Sequence, residues 1–389
     1  MASAESVDAF DAVAASIVAL DVASGEVSAM ASAPGFDPNH RVEGDADAWR
    51  NRAITDMFEP GSTQKALTIA AAIDHDLITP TTQLTVPDTI QVGSSTFTDA
   101  SSHPETMWTV EQIMERSSNV GTIQVAQRLG PERLDTALRE FGLGSPTGVG
   151  FPGEASGMLM HHGDWWATSL PTISIGHGVA VTLMQMASAY ATIANDGVAV
   201  QPSIVRGHVG SDGRLAPVDL APSERVIRTD TAEQVQQMLV RAVAGEDGTG
   251  KLATVSGYTV AGKTGTARKP AAEGGYSDQY IATFTGFAPA DDPQIVVAVM
   301  VDEPTPIWGG VVAAPVFSQV MEAALISRRV APDQSSQSLP EAIARARTSL
   351  QQIAEVEVSD DQTVDLTVDG EAVQIPLDAT THHDDTLEE

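Results

Sequence analysis

The chain has 389 residues, 42% of them hydrophobic, which is enough apolar material for one large domain or two ordinary ones with a substantial core. Lys and Arg total 21 against 52 Asp and Glu; the formal net charge of −31 argues against a general nucleic-acid or anionic-membrane surface and fits a salty medium, where screening weakens self-repulsion. With no cysteine, disulfides, thiolate chemistry and cysteine metal sites are excluded.

Met1 to Asp11 lacks the basic and then apolar layout of a signal peptide, and no window carries the long uncharged apolar run of a membrane span. The expectation is a cytoplasmic protein or one whose targeting segment lies outside this sequence. Ser16–Asp21 and Glu26–Ala31, joined around Ala23-Ser24-Gly25, read as a β-hairpin. A mostly helical stretch follows, with three- and four-residue periodicity in Lys65–Ile73, Val110–Leu129, Glu132–Phe141, Leu183–Asn195 and Thr231–Ala244. Glycine- and proline-rich loops at Gly142–Gly157 and Gly245–Gly250 punctuate it.

A strand over Gly257–Ala267 and a hairpin of Tyr280–Ala288 with Ile295–Val301 come next, around the turn-forming residues 289–294. If the first and last strands share a sheet, the domain closes on itself, and Ala314–Arg329 forms a helix packed on that sheet. From about Ala331 the composition becomes linker-like and then acidic, so residues 1–330 read as the folded domain and 331–389 as a largely flexible tail. A short helix at Leu339–Ile353 and a strand pair at Thr363–Ile375 are compatible with that tail. His382 and His383 read there as solvated residues, and neither a metal site nor a cofactor is expected.

Only four lysines occur, Lys65, Lys251, Lys263 and Lys269. Lys65 lies three residues after Ser62 in Glu59-Pro60-Gly61-Ser62-Thr63-Gln64-Lys65, a spacing that puts both side chains on one face of a helix. A serine hydroxyl needs a base before it can attack, and a buried lysine made neutral by desolvation and a nearby cation supplies one. Lys263 is the candidate cation. It opens Lys263-Thr264-Gly265-Thr266 on an expected edge strand, where lysine and threonine hydroxyls suit a substrate carboxylate and glycine allows close approach. The backbone N–H groups of Ser62 and Thr266 are the candidate oxyanion hole. Arg268 and Lys269 add positive charge that fits an anionic substrate.

Ser117-Ser118-Asn119 falls between these two motifs, within or between helical runs; Ser117 suits proton relay to a leaving amine and Asn119 suits a substrate peptide group. Taken singly, each motif has an ordinary reading as a helix start, a cap or an exposed strand. In the order Ser-x-x-Lys, Ser-x-Asn, Lys-Thr-Gly they match the signature of penicillin-recognising serine acyltransferases.

The chain resembles the class B penicillin-binding proteins, monofunctional peptidoglycan D,D-transpeptidases of cell division or elongation. The likeness also rests on Met30–Asn39, Phe58–Ser62, Ser174–Thr182, Ala189–Asn195, Gly286–Pro289 and Ala313–Phe317, and spans roughly Ser16 to Arg329. The resemblance implies an α/β (α+β) fold like that of penicillin-binding proteins and serine β-lactamases: an antiparallel sheet of N- and C-terminal strands flanked by helices, plus a mostly helical lobe. It implies that Ser62 attacks a D-Ala–D-Ala amide, that D-alanine leaves, and that the amine of a second stem peptide resolves the acyl-enzyme. It also implies that β-lactams acylate Ser62.

Trp308 falls where the family carries a loop near the cleft, and His177 in Gly-His-Gly reads as structural because that mechanism needs no imidazole. The implied partners are peptidoglycan stem peptides, β-lactam antibiotics and, for the full-length protein, cell-wall synthesis or division proteins. The implied location is the extracytoplasmic face of the bacterial inner membrane. Such proteins carry a membrane anchor and a further domain before the catalytic one, so the expectation is that this chain is a part or a processed form. Three other readings share the motifs: a D,D-carboxypeptidase, a serine β-lactamase, and a non-enzymatic β-lactam sensor or division scaffold.

Overall fold

Two apolar segments far apart in sequence, Ala14–Asp21 and Ile295–Asp302, are buried along almost their whole length, which marks them as central strands covered on both faces. They pair antiparallel from Ala14 opposite Asp302 to Asp21 opposite Ile295. Numbering the sheet strands β1 (Ala14–Asp21), β2 (Val27–Ala33), β3 (Ala261–Pro270), β4 (Tyr276–Ala288) and β5 (Ile295–Asp302), the order across the sheet is β3-β4-β5-β1-β2. The first and last strands therefore do share one sheet, as the hairpin pattern predicts. The computed structural model describes residues 2–37, 39, 49–271 and 273–334, together with strands at Glu357–Val358, Thr363–Val368 and Glu371–Pro376.

Alternation along β1 sends Ile17 and Ala19 to one face and Val18 and Leu20 to the other, and each set enters a different core. Helix α7 (Gly309–Arg328) covers the first face through Val312, Phe317 and Met321; Phe317 stacks at 4.5 Å between ring centroids on Phe284 of β4. By length and composition it is the one helix among the described residues that qualifies to cross a membrane, but 61% of its most apolar window is buried, and it serves as a core helix. The expected start at Ala314 moves back to Gly309, with Pro315 accommodated inside the helix.

The other face carries the helical lobe: α1 (Lys65–Asp74), α2 (Val110–Glu115), α3 (Asn119–Leu129), α4 (Pro131–Glu140), α5 (Leu183–Ala194) and α6 (Thr229–Ala244). Both α2 and α5 start on capping boxes, Thr109 with Gln112 and Thr182 with Gln185, which satisfy backbone donors on both sides of the helix start. Two small antiparallel strand pairs missing from the periodicity reading, Gln83–Val86 with Thr106–Thr109 and, between them in sequence, the hairpin Thr89–Val92 with Ser95–Thr98, pack beside α3.

The strand pair expected at Thr363–Ile375 is present as Thr363–Val368 against Glu371–Pro376. The helix expected at Leu339–Ile353 lies outside the described residues, as do His382 and His383.

Candidate active site

Ser62 lies not in an α-helix but in a 3-10 turn, Gly61–Gln64, and α1 begins at Lys65. The tighter turn brings residues three apart into register, so the Ser-x-x-Lys spacing still puts the two side chains on one face. The Lys65 amide donates to the Ser62 carbonyl. Both residues are buried, Ser62 at 7% and Lys65 at 1% exposure, so the lysine is not the solvated helix-start residue of the ordinary reading.

Distant segments hold this turn. The buried Tyr190 hydroxyl donates to the Thr63 carbonyl at 2.8 Å, and burial pushes that phenol's pKa up, keeping the donor protonated. Gln64 Nε2 donates to the Ile173 carbonyl at 3.1 Å, Thr68 Oγ1 to the Ser174 carbonyl at 2.8 Å, and the Gly61 N–H to the Gly176 carbonyl at 3.0 Å. Gly61 and Gly176 both have positive φ, and a Cβ on Gly176 would lie 2.1 Å from the Gly61 carbonyl oxygen. Two glycine backbones in contact thus form the floor beneath Ser62.

The structure joins Lys65 to Ser117. Its Nζ donates to the Ser117 carbonyl at 2.5 Å and lies 3.1 Å from Ser117 Oγ. Ser117 has φ of 57°, and here the single helix expected over Val110–Leu129 is broken into α2 and α3. The break has a polar cause: the Ser118 side chain accepts the Gly121 N–H as an N-cap and donates to Asp99, which also accepts the Val120 N–H. Asn119 Nδ2 donates to the Thr98 carbonyl at 2.9 Å. The Ser-x-Asn motif is therefore a rigid inter-helix corner.

Strand β3 is the sheet edge beside the nucleophile turn, as expected. Lys263 is fully buried; its Nζ donates to Thr264 Oγ1 at 3.2 Å and Thr249 Oγ1 at 3.4 Å, and the two threonine hydroxyls lie 2.7 Å apart. Thr249 belongs to the Gly245–Gly250 loop, which the sequence reading treats as punctuation. Buried Glu115 positions that loop by accepting the Asp247 N–H and pairing with Arg241, so the Lys263 and Ser117 sides share a scaffold.

A Cβ at Gly265 would lie 2.8 Å from the Pro60 carbonyl oxygen and 2.4 Å from Thr283 Oγ1. The glycine permits close approach, but in this structure it is the nucleophile turn that comes close. The Thr266 carbonyl oxygen lies 3.1 Å from the Cβ position of Gly61. In a strand a residue's N–H and C=O point to the same side, so the Thr266 N–H also faces the outer edge next to Ser62. Thr266 Oγ1 accepts the Gly309 N–H at 3.0 Å, which brings the start of α7, and Trp308 just before it, alongside β3.

One charge assignment changes. Lys269 pairs with Asp302 at 2.8 Å and Glu303 at 2.5 Å; burial works against its charge, but the two carboxylates outweigh burial and raise its pKa. Its positive charge is thus spent on the end of β5 and not on the pocket. Arg268 donates to the Tyr280 hydroxyl at 3.0 Å.

Sequence reasoning misses Glu59. Its carboxylate, 8% exposed, accepts the Gly178 N–H at 2.8 Å and the Tyr276 hydroxyl at 3.0 Å and sits 2.7 Å from His177 Nδ1. This clamp ties the nucleophile turn to the Gly-His-Gly segment and to β4. The imidazole is part of this clamp, and burial together with the Glu59 charge raises the Tyr276 pKa.

Buried serine and lysine at a turn, a serine-asparagine corner and a lysine-threonine-glycine edge strand thus lie close together, in the arrangement expected of a penicillin-recognising acyltransferase. Residues 15–322 match the penicillin binding protein transpeptidase domain, and the chain belongs to that family. It is 42% identical over 325 residues to the penicillin-binding protein PbpB of Mycolicibacterium smegmatis, covering 80% of this chain and 50% of the relative. It is 35% identical to the peptidoglycan D,D-transpeptidase FtsI of Escherichia coli, covering 82% and 52%. The chain therefore spans about half the length of these curated relatives. Among solved structures, penicillin-binding protein 3 of Mycobacterium tuberculosis in complex with aztreonam superposes with a TM-score of 0.79 at 36% identity, covering 87% of this chain and 78% of that one. The expected fold class is thereby borne out.

Proposed function

We propose that residues 1–330 form the catalytic domain of a peptidoglycan D,D-transpeptidase that works through an acyl-enzyme on Ser62. The observation that carries this reading is the junction of the nucleophile turn with the Lys65–Ser117 pair on one side and the outward edge of β3 on the other. Lys65, desolvated and therefore favoured as a neutral amine, takes the Ser62 hydroxyl proton as Oγ bonds to the D-Ala–D-Ala carbonyl carbon. The Ser62 and Thr266 N–H groups hold the oxyanion; one such donor is worth about 3–4 kcal/mol of transition-state stabilisation.

Collapse of the tetrahedral intermediate breaks the C–N bond, and Ser117 passes the proton from Lys65 to the departing D-alanine amine. An amine of a second stem peptide then attacks the ester, its proton returns through the same groups to Ser62 Oγ, and the cross-link is released. Lys263 and Thr264 bind the terminal carboxylate, Asn119 binds a substrate peptide group, Gly265 lets the strand approach, and Trp308 borders the cleft. A β-lactam follows the first half of this path and remains on Ser62. The aztreonam complex of the relative supports that half.

The domain acts where peptidoglycan is, on the extracytoplasmic face of the membrane, and cell-wall synthesis or division proteins are the proposed partners of the full-length protein.

A stem-peptide donor incubated with an amine acceptor tests the reading. The expected products are free D-alanine and a new donor–acceptor amide, both lost in Ser62→Ala. D-alanine release without amide product would make the domain a carboxypeptidase, rapid turnover of penicillin would make it a β-lactamase, a stable penicillin adduct with no stem-peptide reaction would make it a sensor, and no reaction with either would leave a scaffold.

A further inference from the structure

We propose that Asp135, His161 and His162 form a binding site for a zinc-class divalent cation, outside the active site and independent of its chemistry. One ring nitrogen of each histidine and one carboxylate oxygen of Asp135 lie within 4.8 Å of one another. His162 Nδ1 is 3.1 Å from Asp135 Oδ2. A metal about 2.1 Å from an imidazole nitrogen and a carboxylate oxygen holds them about 3.0–3.4 Å apart, so the cation fits where the shared proton now sits.

The fold prepares this arrangement. Asp135 lies on α4 at 2% exposure, and Arg139, one turn on, donates Nε to Oδ1 at 2.8 Å, which fixes the carboxylate and turns Oδ2 toward the histidines. The His162 N–H also donates to Oδ2 at 3.0 Å, and Arg139 Nη2 holds the Leu159 carbonyl at 2.9 Å, so the chain segment carrying both histidines is pinned on the helix. His161 is exposed; its Nδ1 accepts the Gly163 N–H at 3.1 Å, so that nitrogen is unprotonated and exchanges this one hydrogen bond for the metal, and the two ring centroids lie 4.2 Å apart with their planes tilted by 33°.

Two imidazoles and one carboxylate, open to water on one side, suit zinc better than the hard cations magnesium or calcium. The bound ion would clip α4 to the segment that leads on to Ile173–Gly176 and hence to the floor beneath Ser62. The competing account makes Asp135 a purely structural acceptor, satisfied by Arg139 and His162.

Zinc titration of the full chain by competition with a chromogenic chelator separates the two. His382 and His383 are replaced by alanine throughout, to remove the only other adjacent histidine pair. The proposal expects one equivalent of Zn²⁺, a thermal midpoint raised by zinc, and an affinity at least tenfold weaker in both His161→Ala and Asp135→Asn. His161 is exposed and its side chain has one hydrogen bond and one ring contact, so that variant is expected to fold even if Asp135→Asn loosens the segment. Absence of stoichiometric zinc at micromolar concentration, or undiminished binding and thermal shift in His161→Ala, would overturn the site.

Discussion

The two edges of the five-stranded sheet are built in opposite ways. Edge strand β2 is exposed or half-buried at six of its seven residues, whereas edge strand β3 is buried over its first seven residues although nothing pairs with it on its outer side within the sheet. The nucleophile turn covers that edge, with Gly265 and Gly61 as the contact points. An exposed edge normally needs protection against unwanted pairing. On β3 that turn supplies the protection, and beside it the Lys263 ammonium and the Thr249 and Thr264 hydroxyls are held together by hydrogen bonds.

This contrast is broken most severely by Gly265→Ala. The new methyl meets the Pro60 carbonyl and Thr283, so strand and turn separate; penicillin acylation should fall at least about a hundredfold, the scale on which a 1 Å displacement acts, as read by stopped-flow acylation rates. Thr249→Val keeps the volume but deprives Lys263 and Thr264 of a buried hydroxyl. Leaving such groups underpaired costs about 1–3 kcal/mol of stability, so the thermal midpoint should fall by a few degrees while acylation slows about tenfold or more.

Tyr276→Phe probes the Glu59 clamp through pH. Burial first, then the Glu59 charge and hydrogen bond, raise the Tyr276 pKa above its usual 10.0, so above that pH the folded state holds a proton that the unfolded state has lost. That stabilisation is complete below pH 10.0 and declines as pH rises toward the folded value. Denaturant titrations should therefore show wild-type stability dropping above pH 10.0, with a shallower drop in the phenylalanine variant. At the small end, Ala31→Thr on the exposed face of β2 should change stability by no more than about 0.5 kcal/mol and leave acylation untouched.

The sequence exposed most of the β3 side and little of what supports it. Ser62, Lys65, Ser117, Asn119 and Lys263 were legible because acyl transfer demands those groups at short, fixed spacings. The sheet was legible because its hairpins are local and its central strands are continuously apolar. Thr249, Glu59, Tyr190 and Gly176 gave no comparable chemical signal: each acts through hydrogen bonds or backbone contacts to residues far away in sequence. The break at Ser117 was hidden by apolar periodicity on both sides, and it arises from Asp99 and Ser118, a pairing across a hairpin that periodicity does not show. Lys269 looked like pocket charge because its neighbours in sequence are basic, while its actual partners sit at the end of another strand.

The central claim is that Ser62, on the turn covering β3, is the nucleophile. Intact-mass spectrometry after incubation with penicillin, followed by peptide mapping over several hours, tests it most directly. The account predicts one penicilloyl adduct per chain, located on the peptide containing Ser62, persistent after free drug is removed and absent in Ser62→Ala. An adduct mapped to another residue, or the same labelling in Ser62→Ala, would contradict it.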